Sequence, residues 1–71
     1  MNSDYNIALK KHFDWCRESI RQGRQSLELF ESGGTASTNG VDTTEETKTL
    51  FMRVIADLEK HLRDHDEPLP E

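Results

Sequence analysis

Apolar residues in the first half of the chain recur with the spacing of an amphipathic helix. The gaps between them are three, four or seven residues along one stripe, which consists of Leu9, Phe13, Cys16, Ile20, Leu27 and Phe30. Gly23 occupies the position that the gap of seven skips, where it would let a second helix approach closely. Ser32, Gly33 and Gly34 follow the stripe, and glycine readily adopts the left-handed conformation that ends a helix. The pattern predicts a helix over residues 3–31.

A second and wider apolar stripe lies in the second half of the chain. Its members recur every three or four residues, with adjacent pairs at two places: Leu50, Phe51, Val54, Ile55, Leu58 and Leu62. Thr43 and Glu46 match the capping box that begins many helices, and Asp42 with Glu45 provides an overlapping match. The pattern predicts a second helix over residues 43–65.

The segment between the two stripes, residues 32–42, is rich in small and turn-forming residues and is interpreted as a linker. Its Asn39-Gly40 pair is typical of β-hairpin turns, but the flanking residues do not alternate, so we expect a loop turn. Two helices joined by such a linker predict an all-α fold, an antiparallel two-helix hairpin over residues 1–66. Residues 67–71 contain two prolines and two acids, and we expect them to form a flexible acidic tail.

Two features of the stripes favour a dimer. The second stripe is wider than one neighbouring helix covers, and the first helix is longer than the second by about two turns. That overhang would leave Tyr5 and Leu9 without cover from their own chain. We therefore expect two hairpins to pair into a homodimeric four-helix bundle. The residues predicted to contact a second copy or another partner are Tyr5, Leu9, Phe13, Trp15, Ile20, Leu50 and Val54.

Composition narrows the classes of function. The 71 residues are 32% hydrophobic and 32% charged, with a net charge of -5. The chain has no apolar run of the roughly 20 residues that a membrane-spanning helix needs. It also lacks the charged-then-apolar layout of a signal peptide at its N-terminus. A single cysteine cannot form an internal disulfide, which fits a reducing compartment. We therefore expect a cytoplasmic protein that does not bind membranes.

Four basic residues form a ridge along the first helix. Lys10, Arg17 and Arg24 recur every seven residues, and Arg21 joins them. This basic ridge is a candidate for binding the phosphates of RNA, although the negative net charge of the chain disfavours nucleic acid. The other interpretation is a solvated surface on which acids and bases pair along the helix. Nucleic-acid binding is therefore expected only as an alternative function.

Histidine and cysteine residues are the candidates for chemistry. His61 and His65 lie four positions apart, and imidazoles at that spacing on a helix can share a metal ion. Leu62 occupies the position at which zinc peptidases carry a catalytic glutamate, so we favour two surface histidines. His12 and Cys16 form another such pair, but no third group orients the histidine, and Cys16 is interpreted as a small buried apolar residue. We expect no catalytic residue, no cofactor and no metal.

The sequence contains no motif for catalysis or cofactor binding, and a bundle of this size leaves little room for a pocket. We therefore predict a small non-enzymatic protein that acts through homodimerisation and through binding to another protein. An RNA-binding regulator that uses the basic ridge is the alternative. A structural subunit of a larger assembly is a third interpretation that the sequence leaves open.

Overall fold

The computed structural model describes residues 3–71, and two long helices account for most of them. The elements in chain order are α1 (Ser3–Glu31), β1 (Ser37–Thr38), β2 (Val41–Asp42) and α2 (Thr44–Asp64). The rings of Phe30 and Phe51 lie 6.4 Å apart near the linker. At the other end of the molecule, the rings of Phe13 and His65 lie 5.3 Å apart. The two helices therefore pack antiparallel, which confirms the predicted helical hairpin.

The core lies between α1 and α2 along the predicted stripes. Its buried members are Phe13, Cys16, Ile20, Ile55 and Leu62, and the half-buried residues packed against them are Leu9, Leu27 and Leu58. Leu9 thus has cover from its own chain, contrary to the expectation from the overhang of α1. Tyr5, one turn earlier, is 66% exposed and has the expected position beyond the core. Within the described residues, neither helix has an apolar stretch long enough to cross a bilayer.

Gly23 lies against the side chain of Ile55 in α2. A Cβ atom added there would lie 3.0 Å from both Cγ1 and Cδ1 of Ile55, which is closer than carbon atoms normally pack. The Ile55 side chain therefore occupies the space that any larger residue at position 23 would need. This contact explains the gap of seven in the first apolar stripe.

The linker contains a short β-hairpin where the sequence predicted a loop turn. Strands β1 and β2 pair antiparallel, with Ser37 opposite Asp42 and Thr38 opposite Val41. Asn39 and Gly40 connect them with φ angles of 53° and 79°, the two positive values that a type I′ turn requires. The turn residues alone determine this hairpin, because its strands are too short and too exposed to show an alternating pattern.

The start of α2 is capped by Asp42, as the overlapping match offered, and not by the Thr43 capping box. Thr43 is the N-cap residue, but its side chain makes no capping hydrogen bond. The carboxylate of Asp42 instead accepts bonds from the Thr44 hydroxyl at 2.6 Å and the Thr44 amide at 2.9 Å. These bonds, the hydroxyl first, lower the pKa of Asp42. The Thr44 hydroxyl also accepts the amide of Ala36 at 3.0 Å, so this cap joins α2 to the linker.

The end of α2 turns the chain back toward α1. The amide of Glu67 donates to the carbonyl of Leu62 at 2.9 Å, and the amide of Asp66 donates to the carbonyl of Arg63 at 3.1 Å. Asp66 has a φ of 55°, so this is a Schellman turn with aspartate in the left-handed position that glycine normally occupies. The turn directs residues 67–71 along α1.

A pair of aspartate-to-glycine substitutions tests this turn. Asp66→Gly should raise the free energy of unfolding by up to about 1 kcal/mol, because glycine adopts a positive φ without strain. Asp64→Gly should lower it by about 1 kcal/mol, because Asp64 lies in the last helical turn and accepts a hydrogen bond from Lys60 at 2.7 Å. Urea denaturation of both variants measures the two changes, and equal signs would contradict the assigned turn.

Candidate functional site

One side of the helical hairpin carries exposed apolar and small residues without charge. We call this side the open face and define it by Trp15, Ser19, Ser26, Leu50 and Val54. The three residues of α1 follow helical spacing, and a groove between the helices is lined by Ser19, Ser26, Val54 and the edge of the core. Trp15 is 60% exposed, Leu50 is 59% exposed and Val54 is 42% exposed. The five residues that define the open face are therefore uncharged, and three of them are large apolar side chains in contact with solvent.

The residues predicted to form an interface divide into two groups. Tyr5, Trp15, Leu50 and Val54 are exposed and available to a partner, and Leu9 is half-buried. Phe13 and Ile20 instead lie in the core of their own chain, where α2 covers them. The sequence placed them on the same stripe as the true core residues, and one neighbouring helix was sufficient to bury them.

The tail covers the side of α1 that bears the basic ridge. The Arg17 guanidinium donates to Asp14 at 2.6 Å, to Glu67 at 3.2 Å and to the carbonyl of Pro68 at 3.2 Å. The bonds to Asp14 and then to Glu67 raise the pKa of Arg17 above its usual value. The guanidinium of Arg17, a member of the basic ridge, is therefore bound to two carboxylates of its own chain.

The rest of the basic ridge is distributed along the same side. Arg24 donates to Glu59 at 2.9 Å and to the carbonyl of Pro70, a buried residue, at 3.3 Å. Arg21 lies 3.4 Å from Glu18 on the surface, and Lys10 is exposed. The ridge therefore alternates with acids and serves in part to hold the tail.

Three side chains with metal-binding atoms meet at the end of the core near the C-terminus of α2. The Nε2 atoms of His12 and His61 lie 2.9 Å apart, and the Sγ atom of Cys16 lies 3.8 Å from Nε2 of His12. The three ligand atoms all lie within 4.8 Å of one another. We call this group the His–Cys cluster. His65, which the sequence paired with His61, packs its ring on Phe13 and also against the ring of His61, with centroids 4.8 Å apart, but it supplies none of these three ligand atoms.

The surroundings of Cys16 set its chemistry. The residue is fully buried, and desolvation raises the pKa of its thiol, with a smaller opposing effect from the neighbouring Arg17 charge. The thiol is therefore protonated near neutral pH and is a weak nucleophile. Thiol and imidazole groups are nevertheless the preferred ligands of zinc when the metal displaces the proton.

The described residues thus present three candidate regions, namely the open face, the basic ridge with its tail, and the His–Cys cluster. The His–Cys cluster joins side chains of α1 and α2 in a combination that the sequence patterns had not indicated. The open face and the basic ridge consist of residues that those patterns had already indicated. Comparison with family models, with curated proteins and with solved structures finds no match to this chain.

Proposed function

We propose that this chain is a cytoplasmic, non-enzymatic helical protein that pairs into a homodimeric four-helix bundle and acts by binding another protein. The observation that carries the proposal is the open face, where Trp15, Leu50 and Val54 are exposed beside a groove of small residues. Large exposed apolar side chains on one side of a protein are typical of sites of protein association. The lone thiol of Cys16 fits the reducing conditions of the cytoplasm.

The exposed area supports a second copy as the occupant of the open face. The chain has a solvent-accessible surface of 5555 Å², whereas a compact monomer of its mass would expose about 4,500 Å². Its radius of gyration is 15.3 Å, compared with about 11 Å for a compact domain of this length. The excess of about 1,000 Å² is close to the roughly 800 Å² that each partner contributes to a standard interface.

The chemistry of the open face is also suited to self-association. A symmetric dimer brings a patch against its own copy, so any charge at the centre of the patch would face a like charge. Trp15, Ser19 and Ser26 carry no charge, and the arginines of α1 lie on the other side with the tail. Small residues such as the two serines also let helices approach to the usual 8–10 Å or so.

The overhanging end of α1 is the surface we assign to a different protein partner. Tyr5 is 66% exposed and Ile7 is 55% exposed, and both lie beyond the buried core. Aromatic residues are enriched at the centres of protein interfaces. A dimer formed through the open face would leave this end of the helix accessible.

A charge introduced into the open face tests the dimer. The wild-type chain is expected to have a mass near twice 8.2 kDa by light scattering, and Val54→Glu should shift it toward one chain because symmetry places the new charges together. Met52→Glu is the control, since Met52 is 52% exposed on α2 but lies outside the open face. A wild-type mass near 8.2 kDa at micromolar concentration, with a melting temperature independent of concentration, would contradict the proposal.

The RNA-binding alternative has less support from the geometry, because Arg17 and Arg24 are engaged with carboxylates and tail carbonyls. Lys10 and Arg21 are the more exposed members of the ridge. Retention on immobilised RNA that weakens with salt and disappears in Lys10→Glu/Arg21→Glu would favour this function over a protein partner.

A further inference from the structure

The His–Cys cluster approaches the dimensions of a zinc site. With Zn–N bonds of about 2.0–2.1 Å and a Zn–S bond of about 2.3 Å, ligand atoms at tetrahedral angles lie about 3.3–3.6 Å apart. The separation of 2.9 Å between the His12 and His61 nitrogens is slightly shorter, and that of 3.8 Å between Cys16 and His12 is slightly longer. The Cys16 Sγ atom and the His61 nitrogen lie within 4.8 Å of each other, up to about 1.2 Å farther apart than in a tetrahedral site. Zinc binding would therefore require the His61 side chain to move toward Cys16 as well as rotations of the imidazole rings.

We propose that His12, Cys16 and His61 bind a zinc ion that joins α1 to α2. His12 and Cys16 lie one turn apart on the same side of α1, and His61 approaches them from α2. Cys16 is buried at the base of the site, His61 is half-buried and His12 is exposed, so the ion would enter from the side of His12. The fourth position is left for water or an external ligand, as in zinc sites with three protein ligands.

The ligand atoms of the cluster determine which class of metal ion it would bind. Two imidazoles and one thiolate favour zinc and similar transition metals, whereas magnesium and calcium require oxygen ligands. A hydrogen bond between the two histidines would also account for their separation of 2.9 Å. That bond does not use the Cys16 thiol, so the dependence of metal binding on Cys16 separates the two interpretations.

Zinc at this position would link residues that are 49 positions apart in the sequence. Because the unfolded chain cannot hold these ligands together, the free energy of binding would add to the stability of the helical hairpin. A bound zinc ion would therefore stabilise an elongated hairpin whose core contains few fully buried side chains.

The first experiment titrates zinc into the reduced full-length chain, prepared without a histidine tag. Zinc at about a hundred times its dissociation constant should raise the melting temperature by about 10 to 20 °C. Cobalt should then produce a thiolate-to-metal charge-transfer absorption and the visible bands of tetrahedral coordination. Trp15 is a further reporter, because its ring stacks on His12 with centroids 6.3 Å apart and cobalt bound there would quench its fluorescence.

Single-ligand variants decide the assignment. His12→Gln, Cys16→Ala and His61→Gln should each weaken binding by more than about a hundredfold, because even groups that only orient a ligand are worth about 10- to 100-fold. His65→Gln is the matched control and should weaken binding far less than His61→Gln does, since it removes no ligand atom and only a ring contact with His61, at 4.8 Å between centroids. His12→Gln changes an exposed residue, so it keeps the test valid if Cys16→Ala fails to fold.

Two results would overturn the proposal. One is a wild-type chain whose melting temperature does not change with zinc and whose cobalt spectrum lacks the thiolate band. The other is binding that His12→Gln leaves unchanged, or that His65→Gln weakens as much as His61→Gln does, because the ion would then be held by surface histidines outside the cluster.

Discussion

Replacing Leu62 with alanine is expected to lower the free energy of unfolding by about 3 kcal/mol. The Leu62 side chain is fully buried in the core between the helices, and alanine would leave a cavity that neighbouring residues fill only in part. A domain of 71 residues has a total stability of about 4 to 10 kcal/mol. The substitution would therefore remove a large share of the stability and leave a measurable unfolded fraction.

Leu29→Ala is the control for this prediction, because Leu29 lies on α1 and is 67% exposed. It should change the stability by no more than about 0.5 kcal/mol. Urea denaturation of both variants at one fixed protein concentration makes the comparison, since association would otherwise alter the apparent stability. If the two variants unfold at the same urea concentration, Leu62 does not have the central position assigned to it here.

The helices could be predicted from the sequence because their signals are local. The spacing of apolar residues gave α1 as Ser3–Glu31 and placed α2 within one residue of Thr44–Asp64. The β-hairpin was missed because only Asn39 and Gly40 encode it, and the strands are two residues long. The Thr43 capping box was wrong, because the carboxylate of Asp42, which the overlapping match had offered as a cap, accepts the Thr44 amide instead.

The candidate sites depend on long-range contacts, which periodicity does not reveal. The sequence showed His12 near Cys16 and His61 near His65, but only the packing register of α1 on α2 brings the first pair to His61 and leaves His65 as a ring contact of His61 without a ligand atom in the cluster. The contacts between the tail and Arg17 depend on the left-handed turn after α2, for which the sequence offers no glycine. The spacing of residues within each helix therefore identified the candidate side chains. Which of these side chains lie together in one site could be seen only in the tertiary structure.

Replacing Gly23 with valine is expected to lower the free energy of unfolding by about 2 kcal/mol. The valine Cβ would lie 3.0 Å from two carbon atoms of Ile55, and its two methyl groups would add further overlap. Valine has one strongly preferred rotamer in a helix, so it cannot turn both methyl groups away from α2. Overpacking of this kind costs about 1–3 kcal/mol, and the better helix propensity of valine over glycine returns only a few tenths of this.

Two further variants separate the steric overlap of a side chain at position 23 from the effect of valine on helix propensity. Gln25→Val places the same side chain on an exposed position of α1, so its cost should be limited to about 0.5 kcal/mol of helix propensity. Ile55→Val removes Cδ1, one of the two atoms that a Cβ at position 23 would meet, so Gly23→Val should cost less in that background than in the wild type. Strictly additive effects in this cycle would mean that Cδ1 of Ile55 is not what restricts position 23.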